Sequence, residues 1–287
     1  MPMSTYASPF TKRAHNGSPA GERTDTVNGL ILAAGSGTRM QGLEGAKPKC
    51  LLEVGGRPLI EHQVTALRNA GVDSIVVVVG YQAERIRRTV GPDASYVLNP
   101  AFASTNSLQS FVLGAENLTG DTLVLNADVL FPEELISIMA NRKSSAFAYD
   151  SSAGDDDEAM KVNVHRRRLL SMSKQMPARH NHGENLGVIR FDRRALRYAV
   201  NVGWDLISKG RQRDWLATAV NATARWFPFE AVDVKGMPWI EIDFPEDLER
   251  ARTEVWPAIC SSPQRQPSRP LLPAAIDPLG SALQEAI

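Results

Sequence analysis

The chain has 287 residues, of which 43% are hydrophobic and 22% charged, and its 32 basic residues balance 32 acidic ones. A net charge of zero gives the whole protein no electrostatic reason to bind DNA, RNA or an anionic membrane, so any anion site must be local. The length allows a large core, and the apolar runs are much shorter than the about 20 residues that span a membrane. We therefore expect no nucleic-acid partner and no membrane insertion.

Cysteine usage and the terminal segments suggest where the protein works and where its folded part lies. Cys50 and Cys260 are the two cysteines, which is too few for a disulfide framework, and the N-terminal segment lacks the apolar stretch of a secretory signal. A cytoplasmic location is therefore expected. Residues 1–26 and the Pro-rich segment 257–287 lack periodic apolar positions, so both are predicted to be tails, the first of them disordered, around one domain at 27–256.

Between the tails, short apolar runs alternate with helical patterns, which is typical of a sheet with crossover helices. Val27–Ala34 is continuously apolar, as expected for a strand that is buried on both faces. Further strands are predicted at 74–79, 95–98, 121–126, 145–149, 160–164, 169–172, 186–191 and near 226–233. Helices are predicted from Pro58 to Gly71, at 81–90, around 108–115, at 132–140, within 192–222 and from Pro245 to about 255. The pattern predicts an α/β fold.

The strongest local motif is Leu32–Met40 (LAAGSGTRM), directly after the first predicted strand. Its glycines allow the backbone to approach a ligand closely, and free N–H groups of such a loop can line a phosphate. A dinucleotide-binding loop would need a third glycine where Met40 stands, and a Walker loop would need Gly-Lys-Ser/Thr. Both common patterns fail, which leaves another type of phosphate loop or an ordinary Gly-rich turn.

A lone carboxylate follows another apolar strand. Asp128 stands just past the strand predicted at 121–126, and open α/β sheets bind ligands beyond the carboxyl ends of their strands. Asp128 is therefore expected to point toward a ligand, and a role as a helix N-cap is the alternative.

The loop is followed by Lys47–Leu52 (KPKCLL) and Val54–Ile60 (VGGRPLI), and the combined pattern resembles the nucleotidyltransferase family. The resemblance covers most of 27–251 and implies a Rossmann-like three-layer αβα fold with a mixed, mainly parallel sheet, in which 27–256 is the catalytic domain. It also implies that catalytic Arg39 and Lys49 contact the triphosphate of an NTP, where cations offset developing negative charge. The loop residues that would hold this nucleotide are Leu32, Ala33, Ala34, Gly35, Gly37 and Thr38.

Two further segments resemble the metal-binding motifs of this family. Asn126–Phe131 (NADVLF) matches its Gly-Asp-Val/Met motif, with alanine in place of the glycine, and Trp239–Leu248 (WIEIDFPEDL) matches its closing motif. The resemblance implies that Asp128 and Asp243 bind Mg²⁺, which uses few protein carboxylates and completes its shell with water and phosphates. Glu241 would share the strand face of Asp243, and both a site role and a structural role stay open for it.

The middle of the chain indicates a subclass. Asn99–Ser110 (NPAFASTNSLQS) resembles a segment of phosphocholine and aminoethylphosphonate cytidylyltransferases, whereas sugar nucleotidyltransferases usually have a Gln/Gly-Thr-Ala segment there. The resemblance implies that Asn106 and Ser110 bind the nucleotide, and amide and hydroxyl groups can satisfy the donors and acceptors of a pyrimidine. Helix capping is the alternative role for Asn106.

Residues 158–162 (EAMKV) and 183–188 (GENLGV) match the same subgroup. Lys161 interrupts an apolar strand, which phosphate binding would explain, and it is predicted to be both catalytic and substrate-binding. Glu184 is expected to face a substrate ammonium group, and a surface position is its alternative. Trp204 is expected to contribute an aromatic face to a choline pocket, and burial in the core is its alternative.

Together these patterns predict a Mg²⁺-dependent cytidylyltransferase that transfers CMP from CTP to a small phosphorylated or phosphonylated amino compound and releases pyrophosphate. CTP and this acceptor are the expected partners, and a homo-oligomer stays open. One alternative is a sugar-1-phosphate nucleotidyltransferase that uses UTP, GTP or dTTP, and another is a catalytically silent regulatory relative. A nicotinamide dehydrogenase is disfavoured by Met40.

Overall fold

The computed structural model describes residues 27–37, 47–72, 74–154 and 156–262. Thirteen strands lie within these ranges: β1 (Asn28–Ala33), β2 (Glu53–Val54), β3 (Arg57–Pro58), β4 (Ser74–Val79), β5 (Ser95–Leu98), β6 (Thr122–Asn126), β7 (Val129–Leu130), β8 (Ala146–Asp150), β9 (Lys161–His165), β10 (Arg168–Ser173), β11 (Glu184–Phe191), β12 (Glu230–Asp233) and β13 (Ile240–Glu241).

The same ranges contain eight α-helices: α1 (Leu59–Asn69), α2 (Ala83–Val90), α3 (Ser107–Ala115), α4 (Glu133–Ala140), α5 (Arg193–Ser208), α6 (Leu216–Ala224), α7 (Pro245–Arg250) and α8 (Trp256–Ser261). Short 3-10 helices occur at Lys49–Leu51, Gly91–Asp93, Phe102–Ser104 and Ala178–His180, and a π-helical turn at Ala251–Val255 joins α7 to α8. Within the described ranges, no helix is both long and apolar enough to cross a lipid bilayer.

Nine of the described strands form one sheet, in the order β5-β4-β1-β6-β11-β8-β12-β10-β9. Neighbours from β5 to β6 pair in parallel, and β12 pairs in parallel with β8. Strand β11 is antiparallel to β6 and β8, and β10 is antiparallel to β12 and β9. Only β10 and β11 thus oppose the direction of the other strands in this sheet, which confirms the predicted mixed, mainly parallel sheet.

Helices cover both faces of the sheet because successive strand residues point to opposite sides. On β1, Ile31 belongs to an apolar cluster with residues of α1, α2 and α4. Its neighbour Leu30 belongs to a second cluster with residues of α3, α5 and α6. A continuously apolar strand is therefore what the three-layer αβα arrangement requires at the centre of the sheet.

A third, smaller cluster joins the end of the chain to the segment after Lys49. Leu52, Leu130 and Ile242 pack together there with other buried residues, and the β13–β7 pair lies alongside them. Arg252 donates a hydrogen bond of 2.9 Å from Nε to the carbonyl oxygen of Glu53. The C-terminal helices therefore stabilise the β2–β3 hairpin, which the sequence patterns did not predict.

The last helical segment extends further than predicted. It begins at Pro245, as expected, but it continues through the π-helical turn and α8 to Ser261, whereas the prediction ended it at about 255. Pro257 lies in the first turn of α8, which follows the π-helical turn directly. The tail predicted at 1–26 and most of the tail predicted at 257–287 lie outside the described residues, so the domain division stays a prediction.

Candidate active site

The loops at the carboxyl ends of β1, β5 and β6 meet at one edge of the main sheet because these strands run in the same direction. They line a cavity of about 420 Å³, which we call the first cavity. The predicted site residues that line it are Leu32, Ala33, Ala34, Gly35, Gly37, Lys49, Asn106, Ser110, Asp128 and Asp243.

Lys49 reaches the first cavity from the 3-10 helix Lys49–Leu51, whose Cys50 and Leu51 side chains are buried. Gly37 lies directly against the lysine stem. A Cβ atom at position 37 would stand 2.8 Å from Cγ of Lys49, and the φ angle of +57° also favours glycine. The absence of a side chain at Gly37 thus allows the loop backbone to pack directly against the side chain of Lys49.

Cys50, next to Lys49, lines the first cavity and is 3% exposed. Burial, reinforced by the charge of Asp128, raises the pKa of the Cys50 thiol to about 12. Because the thiolate is the reactive form of cysteine, this residue serves as a packing group.

Three carboxylates converge beside Lys49. Asp128 lies in the turn between β6 and β7, while Glu241 ends β13 and Asp243 follows it. Backbone pairing holds the two segments together, because Glu241 is paired with Val129 and the N–H of Ile242 donates to the carbonyl oxygen of Asp128 at 2.9 Å. One oxygen from each of the three carboxylates lies within 4.8 Å of the others.

The ammonium group of Lys49 lies among these carboxylates. Its Nζ atom is 3.4 Å from Oδ2 of Asp128 and also donates a hydrogen bond to Oδ1 of Asp243. Burial by itself would lower the pKa of Lys49, but the charge of Asp128 and the hydrogen bond to Asp243 outweigh it, so the pKa is raised. Lys49 therefore stays charged and stabilises the concentrated negative charge.

Asp128 and Glu241 are disfavoured in their charged form. Burial, opposed by Lys49 and reinforced by Asp243, raises the pKa of Asp128. Burial together with the charges of Asp128 and Asp243 raises the pKa of Glu241 well above its ordinary value. A cation bound beside these carboxylates would stabilise their charged forms and lower their pKa values.

This donor set fits a hard divalent cation. Carboxylate oxygens are the ligands that Mg²⁺ prefers, and it usually takes one or two of them together with water and substrate phosphates. The cluster of Asp128, Glu241 and Asp243 supplies enough oxygens for such an ion. The ammonium group of Lys49 already occupies a position where this cluster stabilises a positive charge.

A second cavity, of about 720 Å³, adjoins the first and shares Glu158, Glu241 and Asp243 with it. Trp239 lines this second cavity and is fixed there by a 3.0 Å hydrogen bond from its Nε1 to Oδ2 of Asp150. Among the described residues, eight acidic ones line the second cavity against one basic residue, Arg250. The acidic residues are Asp150, Asp156, Asp157, Glu158, Glu184, Glu241, Asp243 and Asp247.

Glu184 lies at the start of β11 and lines the second cavity. Burial, reinforced by the charges of Asp156, Asp150 and Asp243, raises the pKa of Glu184 to about 7. A neighbouring cation would stabilise the charged form of Glu184, because it would offset the burial and the repulsion from the nearby acidic groups. The second cavity is thus suited to a positively charged group.

Amide and hydroxyl groups form the other end of the first cavity. Asn99 is buried and donates hydrogen bonds of 3.1 Å from Nδ2 to the hydroxyl oxygens of Thr105 and Ser110. Asn106 caps α3, since its Oδ1 accepts a hydrogen bond from the N–H of Ser107. The capping role considered for Asn106 is therefore real, and its side chain lines the cavity at the same time.

Comparison with known proteins identifies the type of fold that carries this site. A sequence model for the MobA-like NTP transferase domain matches residues 29–201, which is more than half of the chain. The chain belongs to the MobA-like NTP transferase family. The resemblance to nucleotidyltransferases that the sequence motifs predicted is thereby confirmed.

Two curated relatives of this NTP transferase are similar over shorter segments. The CMP-5'-(3-aminopropyl)phosphonate synthase of Streptomyces rubellomurinus is 37% identical over 128 residues, which are 42% of this chain and 20% of that protein. The choline-phosphate cytidylyltransferase of Haemophilus influenzae is 36% identical over 107 residues, which are 36% of this chain and 45% of that protein. The chain thus matches less than half of the length of each of these relatives.

A solved structure matches more of the NTP transferase. The CTP:phosphocholine cytidylyltransferase of Streptococcus pneumoniae is 22% identical and superposes with a TM-score of 0.65, covering 78% of this chain and 97% of the other. This similarity confirms the predicted Rossmann-like three-layer fold.

Two predicted site residues within the described ranges are not among those that line the cavities of the NTP transferase. Lys161 is buried on β9, where its Nζ is 4.0 Å from Oδ1 of Asp157, and Trp204 packs against the apolar cluster beneath α5. Among the described residues, neither Lys161 nor Trp204 lines either cavity. Thr38 and Arg39 lie outside the described residues.

The structure also brings residues to the site that the sequence patterns did not single out. Asn99 belongs to a recognised motif, but its own role was missed, although a polar residue directly after a predicted strand was the available signal. Trp215 lines the first cavity beside Lys174, whose Nζ lies 4.9 Å from the indole ring centre. No local pattern distinguishes Trp215 from Trp204, because only the packing of α5 and α6 decides which indole reaches the cavity.

Proposed function

We propose that this protein is a Mg²⁺-dependent cytidylyltransferase that transfers CMP from CTP to a small phosphorylated or phosphonylated amino compound and releases pyrophosphate. The observation that carries the proposal is the position of Lys49 and the three carboxylates. They lie where a cavity with a Gly-rich loop meets a cavity rich in carboxylates. A nucleotide and a cationic acceptor bound in these two cavities would meet at this cluster.

The first cavity suits the nucleotide. Its loop backbone at Gly35 and Gly37, together with Lys49, offers N–H groups and a cation to a triphosphate. The amide and hydroxyl groups of Asn106 and Ser110 lie at the same cavity and supply the donors and acceptors that a pyrimidine edge needs. The names of the two curated relatives, a CMP-phosphonate synthase and a choline-phosphate cytidylyltransferase, support CTP as the nucleotide.

The second cavity suits the amino group of the acceptor. Among the described residues that line it, acidic residues outnumber basic ones eight to one, which gives the second cavity an acidic surface. A phosphate or phosphonate group alone would be repelled by this surface, whereas an ammonium group would be attracted. The acceptor would therefore bind with its amino end in the second cavity and its phosph(on)ate end toward the three carboxylates and Lys49.

In the reaction, a phosph(on)ate oxygen of the acceptor attacks the α-phosphorus of CTP, a new P–O bond forms, and the bond to the β-phosphate breaks to release pyrophosphate. Asp128 and Asp243, with Glu241 beside them, would hold Mg²⁺, which when bound stabilises negative charge on phosphate oxygens. Lys49 would add a second positive charge, and the Gly-rich loop would fix the orientation of the triphosphate. Positioning and electrostatics supply most of the rate in such transfers.

The acceptor oxygen needs no general base because phosphate and phosphonate groups are already ionised at neutral pH. No covalent enzyme intermediate is required either, which agrees with the neutral, buried thiol of Cys50. The chemistry assigned to the site therefore consists of binding, orientation and charge stabilisation.

The proposal is tested by incubating the full chain and Mg²⁺ with each NTP and a panel of acceptors while pyrophosphate release is followed. The panel contains phosphocholine, 2-aminoethylphosphonate, a phosphorylated alcohol without an amino group, and hexose 1-phosphates. We expect release with CTP and amino acceptors, and little with the acceptor that lacks an amino group. Preference for a hexose 1-phosphate with another NTP would refute the proposed substrates, and no release from any pair would refute catalysis.

The variant Glu184→Gln is expected to weaken acceptor binding without changing the affinity for CTP. Loss of a charge-assisted contact of about 1.5–3 kcal/mol corresponds to a rise in the KM for the acceptor of roughly 10-fold or more. Because the pKa of Glu184 is about 7, the wild-type KM for the acceptor should rise as the pH falls through this value and the carboxylate is protonated. The variant should lack this component of the pH dependence.

Steady-state kinetics of both proteins from one pH unit above to one below this value would check the prediction. Titration of the acceptor itself affects the wild-type protein and Glu184→Gln equally, so it cancels in the ratio of their KM values for the acceptor. The exposed residue Glu134 provides a matched control, since Glu134→Gln removes one carboxylate far from both cavities. An unchanged acceptor KM in Glu184→Gln would show that Glu184 does not contact the amino group.

A further inference from the structure

A buried glutamine lies directly behind the turn that carries Asp128. Gln63 is on α1 and is 1% exposed, on the face of the helix that also buries Ile60 and Leu67. A primary amide is an unusual group at a position surrounded by aliphatic side chains, and it needs hydrogen bonds there. The hydrogen bonds that Gln63 makes therefore indicate its role.

Both donors of the Gln63 amide are used on one short segment. Nε2 donates to the carbonyl oxygen of Asn126 at 2.8 Å and to that of Val129 at 3.0 Å. Asn126 is the last residue of β6 and Val129 the first of β7, so the two bonds fix both ends of the turn that contains Asp128.

The opposite side of this turn is held by β13. Val129 is paired with Glu241, and the carbonyl oxygen of Asp128 accepts a bond from the N–H of Ile242. The segment that carries Asp128 thus lies between the amide of Gln63 and the strand that carries Glu241. A shift of this segment would change the separation of the three carboxylate oxygens.

The acceptor half of the Gln63 amide contributes nothing to stability. Its Oε1 atom is buried and has no hydrogen-bond partner among the described residues, and an orphaned buried oxygen is costly. A methionine of similar size would avoid this cost in the apolar surroundings. The two donated bonds, rather than packing, account for a glutamine at this position.

We propose that Gln63 is a positioning residue, which holds the Asn126–Val129 turn so that the Asp128 carboxylate lies in register with Glu241 and Asp243 for cation binding. This inference rests on the metal role of these carboxylates in the proposed function. Gln63 itself would touch neither the cation nor the substrates. Its effect would pass through the backbone of the turn.

The test uses Gln63→Met, which removes both donors and keeps the size of the side chain. Binding of Mn²⁺ to the full chain without nucleotide is measured by electron paramagnetic resonance of the free ion, and the Mg²⁺ concentration for half-maximal rate is measured separately. Loss of a group that orients a metal ligand typically weakens metal binding by roughly 10–100-fold, and we expect a change of this size in both measurements. We expect little change in the KM for CTP and a modest fall in the thermal midpoint, because the carbonyl oxygens of Asn126 and Val129 lose a donor.

A second variant, Gln63→Glu, covers the case in which the methionine disturbs the core, because its side chain has the same shape but at most one proton to donate. Thr223→Val is the control: Thr223 is fully buried and donates a 2.7 Å bond to Ala219 on α6. We expect this variant to lower the thermal midpoint while Mn²⁺ binding is unchanged.

The outcomes separate the two proposals. If wild-type protein binds Mn²⁺ and Gln63→Met binds it equally well, the positioning role is refuted while the metal site stands. Partial unfolding would lower metal affinity and the thermal midpoint together. If the loss of metal affinity in both Gln63 variants is no larger than their lowered thermal midpoints explain, the role of Gln63 is structural and the inference is refuted. If the wild-type protein neither binds Mn²⁺ nor requires Mg²⁺, the metal role in the proposed function fails, and this inference fails with it.

Discussion

The variant Asp128→Ala is expected to fold as stably as the wild-type protein and to lose turnover by about 10³-fold or more, since loss of several kcal/mol of charge stabilisation corresponds to such a factor. Stability should be kept for two reasons. The raised pKa of Asp128 shows that the folded protein disfavours its charge, and Lys49 keeps its hydrogen bond to Asp243 in the variant. Pyrophosphate release and thermal denaturation, each with and without Mg²⁺, measure the two quantities.

The same experiment distinguishes a metal ligand from a residue that only supports the fold. Mg²⁺ should raise the thermal midpoint of the wild-type protein, and this increase should be reduced or absent in Asp128→Ala. Asp205→Ala is the control, because Asp205 is exposed on α5 and pairs with Lys209 far from the site. Near-normal turnover of Asp128→Ala would exclude Asp128 from the proposed metal site.

Asp128 and Lys49 are two predicted site residues that the structure places at one cavity, while their roles stay predictions. Asp128 follows a continuously apolar strand, and the structure places it at the carboxyl edge of the sheet. For Asp128, the strand pattern and the direction of the parallel strands are sufficient to place it at this edge, because the carboxyl ends of parallel strands meet. Lys49 begins a 3-10 helix and lines the same cavity, but only the resemblance to nucleotidyltransferases predicted its place there.

The residues that sequence patterns could not assign depend on tertiary packing. Trp204 follows Gly203 on α5, and the packing of this helix against α3 turns its side chain toward the core cluster. Alternation places Glu241 on the strand face of Asp243 but leaves its role open, because its pairing partner β7 is distant in sequence. Gln63 carries no motif, and its contacts to Asn126 and Val129 become visible only when α1 packs on β6.

The balanced charge of the chain has a local consequence that composition alone does not reveal. The acidic residues are concentrated around the second cavity, whereas Lys49 and the Gly-rich loop lie at the first. Acidic residues also line the first cavity, where Asp128, Glu241 and Asp243 lie beside Lys49. The zero net charge of the chain therefore coexists with a local concentration of carboxylates that composition alone does not locate.

The role of Lys49 can be separated from that of the carboxylates by the variant Lys49→Met. In the wild-type protein, the ammonium group is bonded to Asp128 and Asp243, so a metal that uses these oxygens must displace it. Removing the ammonium group removes this competition and leaves three carboxylates uncompensated. We therefore expect Mn²⁺ to bind Lys49→Met more tightly than wild type, and Mg²⁺ to raise the thermal midpoint of the variant more.

Turnover should change in the opposite direction. Without Lys49, the developing negative charge on the phosphates loses one fixed cation, and removal of a single such group typically lowers kcat by about 10²–10³-fold. Without metal, the variant should also be less stable than wild type, and increasingly so as the pH rises. The pKa values of Asp128 and Glu241 are already raised in the presence of Lys49, and without it the folded protein would hold their protons to still higher pH.

Lys47→Met is the matched control, since Lys47 is two residues away, pairs with Glu53 at 3.7 Å and lines neither cavity among the described residues. It should leave metal affinity and turnover near wild-type values. Weaker metal binding in Lys49→Met would contradict the competition between the ammonium group and the metal. Tighter metal binding with unchanged turnover would instead exclude Lys49 from phosphate stabilisation. Metal affinity and turnover therefore test separately the two roles of Lys49, its pairing with the carboxylates and its stabilisation of phosphate charge.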